Sequence, residues 1–384
     1  MDRTWVHLRL GVMIFFAGVA SAQEPYSYPL QRRFSAPEES SEPKIVKVAE
    51  SPKAPKESPE PPLKDLTPPE FADLIPHDEL KAREVPGHLE PHLPHGRGFF
   101  LNADYLLVRP RVDGLDYAVR NRDFGLATAG PVQELRSRLG NGLRVELGYR
   151  LPSAGLDLSG GYSYIRASGD GTIGADTGQA LFPTQTRPGL IDTVTSATAR
   201  YDLNYNVFDA FVGRRWELDD RLALRGFGGI KFADIRQNFD MGYDGLDARS
   251  AMVQTTSRFH GFGPVLGLES VVAWPRGFHL YVRGNVGLIS GRDEESRRET
   301  NDGGRTLYAD TPYSLRKVVP TVGMGVGGGF QYRTFSFRAG YEVTHWFGLT
   351  DRPRFTSDST QGSLIPRTGN LSLDGLFLQL GMTF

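Results

Sequence analysis

The sequence predicts an all-β chain: a single closed antiparallel transmembrane β-barrel over residues 96–384, preceded by a signal peptide and a disordered, proline-rich spacer. Three observations predict it. From Gly98 to Phe384, apolar and polar residues alternate with a period of two in segment after segment, which marks strands with two unlike faces. Tight and long connections alternate between these segments, as in barrels with short turns at one rim and long loops at the other. After an export-type start, no apolar run is long enough for a membrane helix.

Composition narrows the classes. The 384 residues carry 44 basic and 45 acidic side chains, a balance that argues against a general nucleic-acid binder. There are no cysteines, so a disulfide framework and thiolate chemistry are excluded. The 45 Gly, 15 Tyr and 23 Phe suit β-structure.

Residues 1–22 read as a signal peptide. Arg3 and Arg9 give a basic start, Leu10 to Ala20 form a short apolar stretch, and Ala20-Ser21-Ala22 is a small-residue cleavage site before Gln23. Residues 23–95 contain KAPKESPEPPLKDLTPPE. Such a segment buries too little apolar surface to offset its ordering entropy, and it reads as a partly extended spacer. FADLIPHDELKA (71–82) is one candidate short helix. His77, His88, His92 and His95 lie nearby, the last three at H-x3-H-x2-H spacing, which suits a transition metal. In a proline-broken linker these are read as solvated side chains, so neither a metal nor a cofactor is expected.

The strands follow. In GFFLNADYLLV, Phe99, Leu101, Ala103, Tyr105 and Leu107 share one face, opposite Asn102 and Asp104. LRVELGYR (143–150) sets Leu143, Val145, Leu147 and Tyr149 against Arg144, Glu146 and Arg150. LDLSGGYSY (156–164), FHLYVRGNVGL (278–288) and TFSFRAGYEVTHW repeat the pattern. In YDLNYNVFDAFVGRRW the apolar parity changes between Val207 and Phe208, and a β-bulge there would keep one lipid face throughout.

A soluble sandwich would bury the apolar face; a membrane barrel turns it to lipid and lines its lumen with the polar one. Charges of both signs on the polar faces favour the second, as do the glycines Gly323, Gly325, Gly327 and Gly329 between them. Tyr149, Trp216, Trp274, Tyr332 and Trp346 near strand ends suit interfacial girdles.

The tight connections are 151–155, 217–221, 275–277 and 333–334. The long polar stretches are 109–140, 169–196, 240–252, 291–313 and 349–370. Five loops and four turns require ten strands, or twelve if LDYAV (115–119) belongs to a hairpin in the wall. Both barrel ends then lie on the periplasmic side, with the spacer. The last strand, LSLDGLFLQLGMTF, closes against the first. Leu376, Leu378, Leu380, Met382 and Phe384 are expected to face lipid, and this alternating tail resembles the terminal signal read by the outer-membrane insertion machinery.

FFLNADYLLVRPRVDGLDYAV, NGLRVELGYRLPSAGLDLSGGYSYI, FDAFVGRRWELDDRLALRGFGGIKFADI, FHGFGPVLGLESVVAW, FRAGYEVTHWFGL and DGLFLQLGMTF, in this order, resemble the Legionella-type family of pore-forming outer-membrane proteins. The resemblance covers roughly 98–384. It implies a barrel in the outer membrane of a Gram-negative-type envelope, in contact with its lipid, and porin-like passive passage of small polar solutes or ions. The alternative is a non-conducting structural or adhesive barrel that acts through its external loops.

No catalytic constellation emerges. Asp240, Asp244, Asp247, His260 and Asp351 fall in or near the long connections, but nothing sets a base, a nucleophile and an orienting group together. An enzyme is therefore not expected. The candidate pore residues are Asp104, Arg144, Glu146, Arg150, Asp157, Arg225, Lys231, Glu269, Arg283, Arg338 and Glu342. They form either a polar channel with arginine-lined selectivity or a closed network of ion pairs in a narrow barrel.

Overall fold

The computed structural model describes residues 98–121, 128–151, 155–219, 221–352, 354–357, 362, 364–365 and 367–384. The expected signal peptide, spacer and histidine motif lie outside them. In chain order the strands are β1 (Gly98–Val112), β2 (Asp116–Asn121), β3 (Val132–Glu134), β4 (Gly140–Arg150), β5 (Leu156–Gly174), β6 (Ala180–Pro183), β7 (Ser196–Glu217) and β8 (Leu222–Gly245). They continue with β9 (Ala248–Ala273), β10 (Phe278–Asn301), β11 (Thr306–Tyr332), β12 (Phe335–Asp351), β13 (Arg354–Phe355), β14 (Leu364–Ile365) and β15 (Thr368–Thr383).

Ten strands form one antiparallel sheet in the order β1-β15-β12-β11-β10-β9-β8-β7-β5-β4. β1 pairs with β15 on one side and with β4 on the other, so the sheet returns to its starting strand. Toward the tight turns this pairs the ring strands on both edges, as a lipid environment requires, whereas farther up Thr306–Pro320 of β11 pairs with β10 alone. The predicted tight connections join β4 to β5, β7 to β8, β9 to β10 and β11 to β12. At the β9–β10 turn Gly277 takes φ 85°, and a Cβ there would lie 2.6 Å from the Gln331 carbonyl oxygen.

The twelve-strand alternative fails. Asp116–Asn121 does form a strand, but β2 pairs with β3 and β6 in a separate three-stranded sheet. Two expected long loops are also largely strand. β8 and β9 run on to a short turn at 246–247, and β10 and β11 continue to a turn at 302–305. Ring strands thus range from 11 residues in β4 to 27 in β11, whereas about 9–11 tilted residues cross a bilayer. The wall from β7 to β11 therefore rises well beyond a membrane-thick band.

Facing follows strand parity. In the half nearest the tight turns, Leu147, Leu280, Val282, Phe337 and Leu378 are exposed on the outer surface. On β10 the outer face is apolar from Phe278 to Leu288, apart from Gly284, and polar from Ser290 onward, which marks the edge of the lipid band. Trp216, Trp274 and Tyr332 are exposed near the turns, as expected of a girdle. Trp346 is not part of it: it is fully buried inside, against Tyr205 with ring centroids 6.0 Å apart.

The bulge expected near 207–208 is absent. β7 pairs without a register shift with both β5 and β8. Phe208 and Val212 face outward, and Tyr201, Leu203, Tyr205 and Val207 are buried inside. The parity change has another cause. The upper half of β7 stands above the apolar band, where water lies outside and a packed core lies inside, so the apolar face switches sides. Leu203, Ile235, Phe239, Phe259, Ile289, Val319, Leu349 and Leu371 form that upper core. The sheet β3-β2-β6 joins it through the buried Leu115, Tyr117 and Leu181, and Tyr243 Oη donates to the Tyr117 carbonyl at 2.8 Å.

Candidate functional site in the lumen

Inward positions of the lipid-level strands meet in a narrow interior. Two cavities, of about 120 and 100 Å³, occupy it. Asp104, Arg144, Lys231 and Glu342 line the larger one; Arg150, Asp157 and Arg225 line the smaller; Glu146, Glu269, Arg283 and Arg338 border both. All eleven candidate pore residues thus reach the same interior.

Cross-strand hydrogen bonds divide that interior. Arg144 on β4 donates both terminal nitrogens to Glu342 on β12, at 2.9 and 2.5 Å. It spans β1 and β15 to do so, and it also reaches Asp104 at 3.2 Å and Ser163 Oγ at 3.2 Å. Gln379 donates to Asp104 at 2.7 Å. Arg225 makes a two-point contact with Asp157 across β7. Arg338 donates to Glu269 at 3.5 Å across β10 and β11, and Arg225 lies 3.9 Å from the same carboxylate. Lys231 pairs with Asp209 at 3.5 Å, and Asn102 donates to Glu146 at 3.1 Å.

Aromatic rings complete the belt. The guanidinium of Arg283 lies 4.7 Å from the Phe227 ring centroid, and that of Arg338 lies 4.9 Å from Tyr281. The β11 glycines leave room for this packing: a Cβ at Gly327 would lie 2.9 Å from the Tyr281 ring. Removing one partner of such a buried pair strands the other, at a cost of about 3–5 kcal/mol. Asn102, Asp209, Tyr281 and Gln379 were not among the candidate pore residues, although Asn102 was placed on the polar face of the first strand. The signal was available for Asp209 and Gln379, which occupy inward parity beside exposed apolar neighbours.

Directly above the belt comes apolar packing. Tyr205 and Leu373 border the larger cavity on its way to the upper core. Beyond that core lies a second polar cluster, unpredicted because its acidic members Asp293, Glu295 and Asp351 were read as loop. Lys317 Nζ contacts Asp293 at 2.6 Å, Asp351 at 3.0 Å and the Leu349 carbonyl at 2.7 Å. Glu295 is buried beside them. Burial, and then the neighbouring Asp293 carboxylate, push the Glu295 carboxyl up to about 8. Farther out, burial alone would raise Asp116, but Arg354 and Arg367 outweigh it and hold its carboxyl below the usual range. Arg354 contacts both Asp116 oxygens at 2.9 Å, tying β2 to the segment after β12.

The residues weighed for catalysis do not converge. His260 and Asp240 sit on the outer wall, Asp247 caps Thr193 in a turn, and Asp351 binds Lys317 inside. Among the described residues, no group of three or more His, Asp or Glu is placed to hold a metal ion, and no helix is long and apolar enough to cross a membrane.

An antiparallel ring with an apolar outer band and a charged, ion-paired interior defines a membrane β-barrel. Residues 93–384 match the model of the family described as Legionella pneumophila major outer membrane protein precursor, and the chain belongs to that family, which places it in the outer membrane. No curated protein matches the chain. Among solved structures, the outer membrane protease OmpT of Escherichia coli is similar at 10% identity and TM-score 0.46, over 75% of this chain and 97% of that one. A TodX deltaS2S3 mutant monoaromatic hydrocarbon channel is similar at 10% identity and TM-score 0.33, over 76% and 91%. The attachment invasion locus protein Ail of Yersinia pestis is similar at 10% identity and TM-score 0.23, over 75% and 99%. These likenesses carry no inference about activity.

Proposed function

We propose that this chain is a non-conducting outer-membrane barrel, anchored by its lipid-level ring and acting through the tall wall and cap at the opposite end from the tight turns. The observation that carries this reading is the filled interior. Arg144–Glu342, Arg225–Asp157 and Arg338–Glu269 bridge strands inside the lumen, and the Trp346–Tyr205 layer lies above them. An open selectivity ring needs charges free to exchange with a passing ion; here Arg144, Arg225, Lys231 and Arg338 are each held by a carboxylate. On this reading the tight turns and both barrel ends face the periplasm. The exposed Leu376, Leu378, Leu380 and Phe384 of β15 then serve as the signal for the insertion machinery.

Porin-like passage of small polar solutes or ions is the second reading. The two charge-lined cavities, which share Glu146, Glu269, Arg283 and Arg338, favour it. Single-channel recording separates the readings. Folded protein inserted in planar bilayers is expected to give no current steps above the bare-bilayer baseline. Reproducible ohmic steps from the wild-type protein establish the porin instead.

A further inference from the structure

The outer wall carries a groove of about 740 Å³ at the level where the apolar band ends. Strand register organises it into two rows. The lower row places Phe208 of β7, Phe232 of β8 and Phe262 of β9 side by side. Their ring centroids are 6.3 and 5.8 Å apart, the second pair is stacked, and all three are exposed. Two residues farther along each strand, ~7 Å away, the next row reads Asn206, Asp234, His260, Arg292 and Arg316 from β7 to β11. Arg236 and Arg258 lie one row higher, opposite each other.

The charges in this collar do not cancel. Arg258 grips Asp234 with two hydrogen bonds of 3.1 Å, and Arg236 approaches the same carboxylate at 3.4 Å. Arg292 donates to Ser314 at 2.8 Å and lies 3.7 Å from Glu294. Among the described residues, Arg316 takes part in no ion pair. Four arginines therefore face two carboxylates, one carboxylate in each half of the collar. Two positive poles result, Arg236 with Arg258 and Arg292 with Arg316, about two strand spacings or ~10 Å apart.

An amphiphile suits this arrangement: acyl chains on an aromatic platform at the apolar edge, and an anionic headgroup immediately above. Two separated positive poles favour two phosphates over one. Planar guanidinium groups bind phosphate with directed, charge-assisted hydrogen bonds. We propose that this groove is a binding site for a diphosphorylated, multiply acylated glycolipid of the leaflet facing the cell exterior. That leaflet assignment rests on the orientation proposed above; the binding chemistry does not.

The test uses the full chain, refolded in zwitterionic detergent, with lipid A as the probe. Binding is followed by native mass spectrometry, and strand content by circular dichroism. Wild-type protein is expected to hold lipid A in one-to-one stoichiometry, at least tenfold more tightly than phosphatidylglycerol. R292Q/R316Q is expected to weaken binding at least tenfold with unchanged strand content. R200Q, on the same wall away from the groove, is expected to bind as wild type does. Three results overturn the inference: R292Q/R316Q binding within twofold of wild type, phosphatidylglycerol binding equally well, or inorganic phosphate displacing the lipid at matched phosphate concentration. Because the assay uses detergent, failure here leaves the sealed lumen and the orientation untouched, and bilayer recording decides those separately.

Discussion

Glu295 shows how one residue reports on the upper interior. It lies inside the wall above the apolar band, beside Asp293, with Asp351 and the Lys317 ammonium completing the cluster. Burial first, and then the Asp293 carboxylate, hold a proton on Glu295 up to about pH 8, against 4.5 for an ordinary glutamate. An acid whose folded value is raised costs nothing below its unfolded value. Stability then falls as pH rises from about 4.5 toward 8, because the unfolded chain releases that proton first. E295Q removes the liability while keeping the shape. Thermal unfolding should show the variant and wild type alike near pH 4.5. At about pH 8.5 the variant should be the more stable, by about 2–4 °C for each kcal/mol recovered. A variant that is less stable at the higher pH would show that the carboxylate is charged and needed there.

Among the elements, β7 is the most instructive. Its lower half follows the rule of lipid outside and polar lumen inside; its upper half follows the rule of a soluble protein. The ten-strand count, the tight turns, the facing of the lipid-level strands and the eleven inward charges were legible in the sequence. At that level the alternation has one meaning and the inner charges stand out against Leu and Val. The upper strands were not legible, because a wall with water outside is polar enough to pass for loop, as in Arg292–Arg298 of β10. The Val207–Phe208 parity change looked like an inserted residue when it marks the membrane boundary. Ion-pair partners were legible only as types, since which acid meets Arg144 depends on the width of the ring. Substitutions on adjacent β7 positions test the boundary. L203D should destabilise the fold by several kcal/mol by placing a charge in the upper core, whereas N204D, facing water, should stay within about 0.5 kcal/mol of wild type. Unfolding in urea measures both, and equal effects would contradict the inverted parity.

At the scale of the whole molecule, the ring stacks three fillings along one axis: a belt of ion pairs at lipid level, an apolar core above it, and the β3-β2-β6 cap joined through Tyr117 and Asp116. On the sealed-lumen reading proposed above, each filling shuts the passage by different physics, so loosening one alone leaves the others in place. The chain has no cysteine, which makes a single introduced thiol a clean probe of whether water-borne solutes reach the lumen. Ser163 lines the larger cavity and is buried, while Ser168 on the same strand is exposed on the outer wall. The most direct measurement is the rate at which a charged, membrane-impermeant thiol reagent labels S163C and S168C in folded protein reconstituted in lipid vesicles. A sealed lumen predicts that S168C reacts at the rate of an exposed thiol and S163C at least a hundredfold more slowly, until the protein is unfolded. Labelling of S163C at a rate close to that of S168C in the folded state would contradict the account.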